Sequence, residues 1–268
     1  MDQPVAAIAF RFPSLPGVRV AFGMRTTAPA AAPAATCGDP FAGGNISYRV
    51  GDDPDRVTKT RQAFRDLLGF SSWHALKQVH GPAMVFDPQT DTLCEPSPTE
   101  ADGQATALPG AALVVKTADC QPILVAHRSG KYVAALHVGW RGNVMDFPGS
   151  GVAAFCARYG LSPADCLAVR GPSLGPAAAQ FVNFEAEFGS RFSPYYDAAS
   201  RTVDLWRLTR DQLAAAGLQS ENIFGIEMCT FASPHFFSYR RSRTSGRQAS
   251  FIWIADEDRS ASRIRRQA

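Results

Sequence analysis

Residues 116–142, KTADCQPILVAHRSGKYVAALHVGWRG, leave this chain little choice in how it folds. Two apolar runs, 123–126 and 132–136, flank the turn-forming tetrapeptide Arg128-Ser129-Gly130-Lys131. That pattern predicts a β-hairpin, or two adjacent strands, folded at 128–131. Asp119-Cys120 precedes the first strand; His137, then Gly139-Trp140-Arg141-Gly142, follows the second. A hairpin returns the end of its second strand to the start of its first, so Cys120 and His137 become neighbours in space. A thiol and an imidazole at one open end form either a nucleophile–base pair or two metal ligands. Taken singly, each residue is more often structural, a buried thiol or a hydrogen-bonded ring. Their small and polar flanks set them at a strand end, and perturbed Cys/His pairs concentrate at working sites.

With 46% hydrophobic and 19% charged residues, the 268-residue chain has globular composition and length for a sizeable core. The net charge of +3 is too slight to argue for a nucleic-acid partner. Much of the basic excess falls late, at Arg240, Arg241, Arg243, Arg247, Arg259, Arg263, Arg265 and Arg266. No apolar run is long enough to span a bilayer. Pro4, Pro13 and Pro16 break the N-terminal segment, which does not read as a signal peptide. Six cysteines without a CxxC pair point to reduced thiols and a cytoplasmic location.

Along the chain, a strand is predicted at 18–22 and an Ala/Pro/Gly-rich loop at 28–44, long enough for a lid or an interface arm. A strand is expected at 45–50, then a helix capped by Asp53-Pro54 and running to about Leu68, with Val57, Phe64, Leu67 and Leu68 on one face. Strands follow at 73–78, 84–86 and 112–115, with a turn signal at Glu100-Ala101-Asp102-Gly103. Beyond the hairpin come a helix at 151–159, a strand at 167–169 and a helix at 182–188. A helix at 205–216, capped by Asp204 and ended by Gly217, precedes strands at 223–226 and 248–254. The charged tail past Asp256 is expected to fray. Without a repeat or a linker-like break, residues 1–268 read as one domain with its core at about 18–254.

His80, like Cys120 and His137, stands where a strand meets a small-residue turn. Two imidazoles and a thiolate would suit a borderline-soft metal with one open position, although the spacing alone is weak support. His74, His127 and His235 read as structural. The turn Gly171-Pro172-Ser173-Leu174-Gly175-Pro176 either offers backbone amides to an anion or is a plain tight turn.

Several ordered motifs resemble the laccase-domain (YfiH-type) family, once called polyphenol oxidases and now purine nucleoside phosphorylases. They are Gln78-Val79-His80-Gly81, Ala101-Asp102-Gly103, Thr117-Ala118-Asp119-Cys120-Gln121-Pro122-Ile123 and His137-Val138-Gly139-Trp140-Arg141-Gly142. Supporting matches are 171–176, Asp204-Leu205, Cys229-Thr230, 236–241 and Gly246-Arg247, so the resemblance spans about 20–254. It implies a mixed α/β (α+β) fold, a single-domain sandwich of mixed β-sheets flanked by helices and shared with Cys/His hydrolases. It further implies zinc on His80, Cys120 and His137, with copper as the alternative metal. The implied reaction is phosphorolysis of purine nucleosides, with adenosine deamination and methylthioadenosine phosphorolysis as related activities. Two departures stand out. The Ala/Pro stretch from Ala28 replaces the family's Gly-Gly-Val-Ser, which puts the substrate-side loop in question. Ala177-Ala178-Ala179-Gln180-Phe181 replaces its Cys-Cys-Tyr-Glu run, which bears on the pocket wall.

On this reading His80, Cys120 and His137 carry the chemistry, and Arg141, Asp119 and Gln78 bind substrate. Arg141 is the candidate phosphate clamp and Asp119 the candidate carboxylate orienting a metal-bound imidazole. The partners are a nucleoside and phosphate, with no nucleic acid or membrane, and the chain is expected to be a monomer or weak homodimer. Three rivals remain. One is a metal-independent hydrolase with Cys120 as nucleophile and His137 as base, cleaving an amide in a cell-wall precursor. Another is copper-dependent phenol oxidation, disfavoured by a total of five histidines. The last is a binding module that uses the basic C-terminal arm.

Overall fold

Alternation along the hairpin sets the layering of the molecule. The computed structural model describes residues 5–26 and 39–256, so 28–38 of the expected loop and the tail from 257 lie outside the described residues. In chain order come β1 (Ala6–Phe10), β2 (Val18–Met24), α1 (Pro54–Leu68), β3 (Ser72–Ala75), β4 (Met84–Phe86), β5 (Gly103–Thr106) and β6 (Ala111–Thr117). The hairpin is β7 (Gln121–His127) and β8 (Val133–Val138), followed by α2 (Trp140–Val144), α3 (Phe147–Tyr159), β9 (Cys166–Arg170) and α4 (Phe184–Glu187). A small ribbon of β10 (Tyr196–Asp197) and β11 (Thr202–Val203) leads to α5 (Leu205–Ala215), β12 (Ile223–Gly225) and β13 (Gln248–Ile254).

One sheet runs β12-β9-β7-β8-β5-β4 and the other β1-β2-β13-β6-β3; each mixes parallel and antiparallel neighbours. On β7, Leu124 and Ala126 pack with Val20, Phe22, Leu113 and Ile252 of the other sheet. Ile123 and Val125, on the opposite face, pack with Phe147, Phe155 and Leu213 of α3 and α5. On β6, Leu113 and Val115 point between the sheets while Ala112 and Val114 pack with Phe64 of α1. Period-two alternation thus stacks α1, sheet, sheet, and α3 with α5, which is the expected mixed α/β sandwich. Each buried Leu, Ile or Phe contributes about 1.5–3 kcal/mol, so a one-residue slip of β7 would forfeit several such terms at once.

Helix α1 starts and stops as its sequence dictates. The Asp53 side chain accepts from the Arg56 N–H, Pro54 opens the first turn, and Gly69 closes the last in the left-handed region. Its buried face carries Val57, Thr60, Arg61 and Phe64, whereas Leu67 is exposed. The strand expected at 45–50 does not form. Asn45 instead accepts from Ser47 N–H and Arg247 N–H and donates to Ser47 O and Asp52, giving this segment side-chain partners in place of a ladder. The strand expected at 73–78 ends at Ala75, and the helix expected at 182–188 is the single turn α4. Helix α3 begins earlier than expected, at Phe147. Gly151, which weakens its helical signal, lies where a Cβ would come 2.9 Å from Leu136 and so lets the helix sit on β8.

Candidate functional site

In the hairpin register Pro122 opposes His137, so Cys120, just ahead of β7, opposes Gly139. By strand parity, Cys120 and His137 lie on the face that carries Leu124, Ala126, Val133 and Ala135, turned toward the other sheet. His80 joins them from the loop between β3 and β4. Its Nε2 lies 3.7 Å from the Cys120 thiol, and the two imidazole centroids are 4.9 Å apart. One donor atom from each of the three residues falls within 4.8 Å of the others. His137 is buried, Cys120 half-buried and His80 exposed, so the group opens to solvent on the His80 side. Gly139 makes this approach feasible: a Cβ there would stand 2.8 Å from the His80 ring and 3.2 Å from Sγ.

Asp102 organises the group. Its Oδ1 lies 2.6 Å from His137 Nδ1, and its Oδ2 accepts the Val79 and Gly81 N–H groups at 2.9 Å each. His80 lies between those two amides with φ at +61°, a left-handed conformation held by that clamp. Burial pushes the Cys120 thiol up, but the His137 imidazolium and the hydrogen bonds from His137 and His80 outweigh it and bring the thiol down. Burial likewise pushes His137 down, while the Cys120 thiolate and Asp102 carry it up. The pair is therefore a thiolate beside an imidazolium. Once a metal displaces the imidazolium proton, the ionised sulfur and the Nε2 atoms of two rings form the donor set of an open three-ligand site, so these residues fit a soft or borderline metal.

Sequence reasoning gave Asp119 the role that Asp102 occupies. The Asp119 carboxylate turns elsewhere, accepting from Thr230 Oγ1 at 2.7 Å and from the Arg240 N–H at 2.6 Å. Gln78 uses both its amide atoms on the Lys116 backbone, so it braces the end of β6. Arg141 is exposed, with its guanidinium 4.3 Å from the centroid of the Trp140 ring and no carboxylate partner among the described residues. The turn at 171–176 is not an anion nest. Its amides are spent inside the protein, Gly171 on Pro122 O, Ser173 on Met228 O, Leu174 on Asp119 O and Gly175 on the Cys229 sulfur. His74 bonds to Ser72 and Thr90 O, and His127 to Ser129, so neither joins the trio. The signal for Asp102 was its motif, Ala101-Asp102-Gly103, which reads equally well as a turn.

Arg247 feels the charges of Cys120 and Asp119, and Arg241 those of Arg25 and Asp119. Among the described residues no helix is long and apolar enough to cross a membrane.

Residues 34–255 match the family model described as multi-copper polyphenol oxidoreductase laccase. A purine nucleoside phosphorylase of Xylella fastidiosa (strain 9a5c) is 38% identical over 221 residues, covering 79% of this chain and 84% of the relative. The purine nucleoside phosphorylase YfiH of Escherichia coli (strain K12) is 35% identical over 228 residues, covering 80% and 88%. Among solved structures, YlmD from Geobacillus stearothermophilus superposes with a TM-score of 0.76 at 26% identity, covering 91% of this chain and 94% of that one. A Neisseria meningitidis protein superposes with the same TM-score and identity, covering 93% and 99%. The matched span contains β3 to β13 and every residue of the His/Cys/His group, and on that agreement of sequence and fold the chain belongs to the multi-copper polyphenol oxidoreductase laccase family.

Proposed function

We propose that this chain is a zinc-dependent purine nucleoside phosphorylase, converting adenosine or inosine and phosphate to the free base and ribose 1-phosphate, with adenosine deamination as a side activity. The observation that carries the reading is the open group of His80, Cys120 and His137 in a chain whose relatives bear that name. His80, Cys120 and His137 would hold the ion. Zinc, when bound, supplies Lewis acidity toward phosphate or water.

The chain's own residues prepare that site. Asp102 accepts the Nδ1 proton of His137 and so leaves Nε2 as the donor atom. Cys120 presents a thiolate near neutral pH, ready for a cation. Arg141 offers phosphate a planar pair of donors with no carboxylate to compete. Asp119 and Gln78 support the walls through protein partners.

A second reading has one observation in its favour, the thiolate–imidazolium pair itself, which suits Cys120 as nucleophile and His137 as base in amide hydrolysis. Phenol oxidation at several coppers is less well served, since one His/Cys/His group stands among the described residues and His74 and His127 are otherwise engaged. The deciding experiment incubates metal-analysed protein with adenosine and inosine, with and without phosphate, and separates the products. Phosphate-dependent release of adenine and hypoxanthine, abolished by chelation and restored by zinc, is expected. No base release with or without phosphate, beside cleavage of a cell-wall amide that a chelator does not abolish, would favour the hydrolase.

A further inference from the structure

Arg247 stands one residue before β13, at the end of the sheet that faces the Cys/His group. Its backbone is fixed on both sides: its own N–H donates to Asn45 Oδ1, and its carbonyl accepts the Ile46 N–H. The guanidinium is half-buried, and Nη1 donates to Ser245 O at 2.7 Å and Gly246 O at 2.9 Å. Nε and Nη2 meet no acceptor, and no carboxylate pairs with it among the described residues. The other arginines sunk in the protein differ. Arg170 is neutralised by Glu227 at 2.6 Å and stacks on Trp206, and Arg61 spends Nε and Nη1 on the carbonyls of Ile46, Thr92, Leu93 and Glu95. Arg247 feels the charges of Cys120 and Asp119, and its guanidinium carbon lies 5.9 Å from the centroid of the Tyr239 ring. The Asp119 carboxylate is turned to Thr230 and Arg240 and makes no ion pair with Arg247. A half-buried guanidinium that is held by its neighbours and has Nε and Nη2 without a protein acceptor is placed to take an anion.

We infer that Arg247 anchors an oxyanion substrate beside Cys120, its Nε and Nη2 donors taking two oxygens of the anion. The anion is inorganic phosphate; its role as co-substrate rests on the phosphorylase reading, and its binding at Arg247 does not. Preorganisation is what separates Arg247 from the exposed Arg141, since a guanidinium fixed by its neighbours loses little freedom when it binds.

The test uses full-length, zinc-loaded protein as wild type, R247Q and R247K. Inorganic phosphate is titrated calorimetrically, and initial rates are measured over phosphate and inosine series. R247Q is expected to weaken phosphate binding roughly tenfold to hundredfold and to raise the phosphate KM in parallel, as loss of a charge-assisted bidentate contact does. The inosine KM and zinc content should not move, and R247K should fall between the two. A folded, zinc-loaded R247Q that binds phosphate as wild type does overturns the anchor. If R247Q does not fold, R247K decides, and an unchanged phosphate affinity overturns the inference. Wild type that binds no phosphate overturns it as well. Wild type that binds phosphate through Arg247 but turns over no nucleoside sinks the phosphorylase reading and leaves the anchor standing.

Discussion

Asp102 and His137 are joined twice: Asp102 Oδ1 lies 2.6 Å from the imidazole Nδ1, and the His137 N–H donates to the Asp102 carbonyl at 2.7 Å. The same carboxylate clamps the amides on either side of His80. One side chain therefore orients one ring directly and sets the loop that carries the other.

Replacing that carboxylate should be felt at the site before it is felt in the fold. Asp102→Asn keeps the size but brings a second N–H donor against His137 or against the Val79 and Gly81 amides. Zinc affinity should fall about 10–100-fold, the range typical of residues that orient a metal-bound His. Competition with a chromogenic chelator measures it, and wild-type affinity in the variant would falsify the clamp.

The Cys120 thiolate should show in its reactivity once metal is removed. Burial opposes both charges, yet the partners bring the thiol down to about 6 and carry His137 up to about 9. The thiolate's contribution to stability is lost as pH falls through the lower value, and the imidazolium's as pH rises through the higher. Site-resolved alkylation of metal-free protein should reach half its maximal rate near the lower value, against about 8.5 for an ordinary thiol. A midpoint at the ordinary value would dissolve the ion pair.

Gly139→Ala tests close approach. The added Cβ meets the His80 ring at 2.8 Å and the Cys120 sulfur at 3.2 Å, and the exposed His80 is the group able to yield. Zinc affinity should drop while thermal stability stays near that of the wild type. Equal loss of both would mean that Gly139 serves the backbone rather than the site.

Asn143 tests the tie that holds α2. It is fully buried, donating to Thr209 and Gln212 at 2.8 Å each and accepting from Gln121 at 3.1 Å, and its N–H returns to Gly139 O. Asn143→Ala strands those partners and should cost about 1–3 kcal/mol in urea denaturation, the usual penalty for buried polar groups left unpaired. A change below about 0.5 kcal/mol, the range of ordinary surface substitutions, would show that water replaces the amide.

How much of this was legible in the sequence follows from the range of each interaction. Local signals sufficed for α1, where Asp53, Pro54 and Gly69 act within a turn of their own position, and for β13, whose apolar run has the expected limits. The hairpin was legible because its turn residues and alternation are neighbours in the chain, and with them came the pairing of Cys120 and His137. Strands β1 and β5 were not. β1 is a half-exposed edge strand, and β5, Gly-Gln-Ala-Thr, carries no apolar run, with Gln104 donating across to His74 O and Val114 O of the other sheet.

The residues that prepare the site were decided by tertiary structure. Asp102 and Asp119 are both acids beside a small residue at a turn, and nothing local distinguishes them. Strand β5 sets Asp102 against His137, and the left-handed turn at Asp119 aims its carboxylate at Thr230 and Arg240, 111 and 121 residues away. Residue type determined which groups could bind a metal or an anion. Which of them face one another was settled by packing two sheets, because a contact across such sequence separations is specified by burial and register and not by the neighbouring residues.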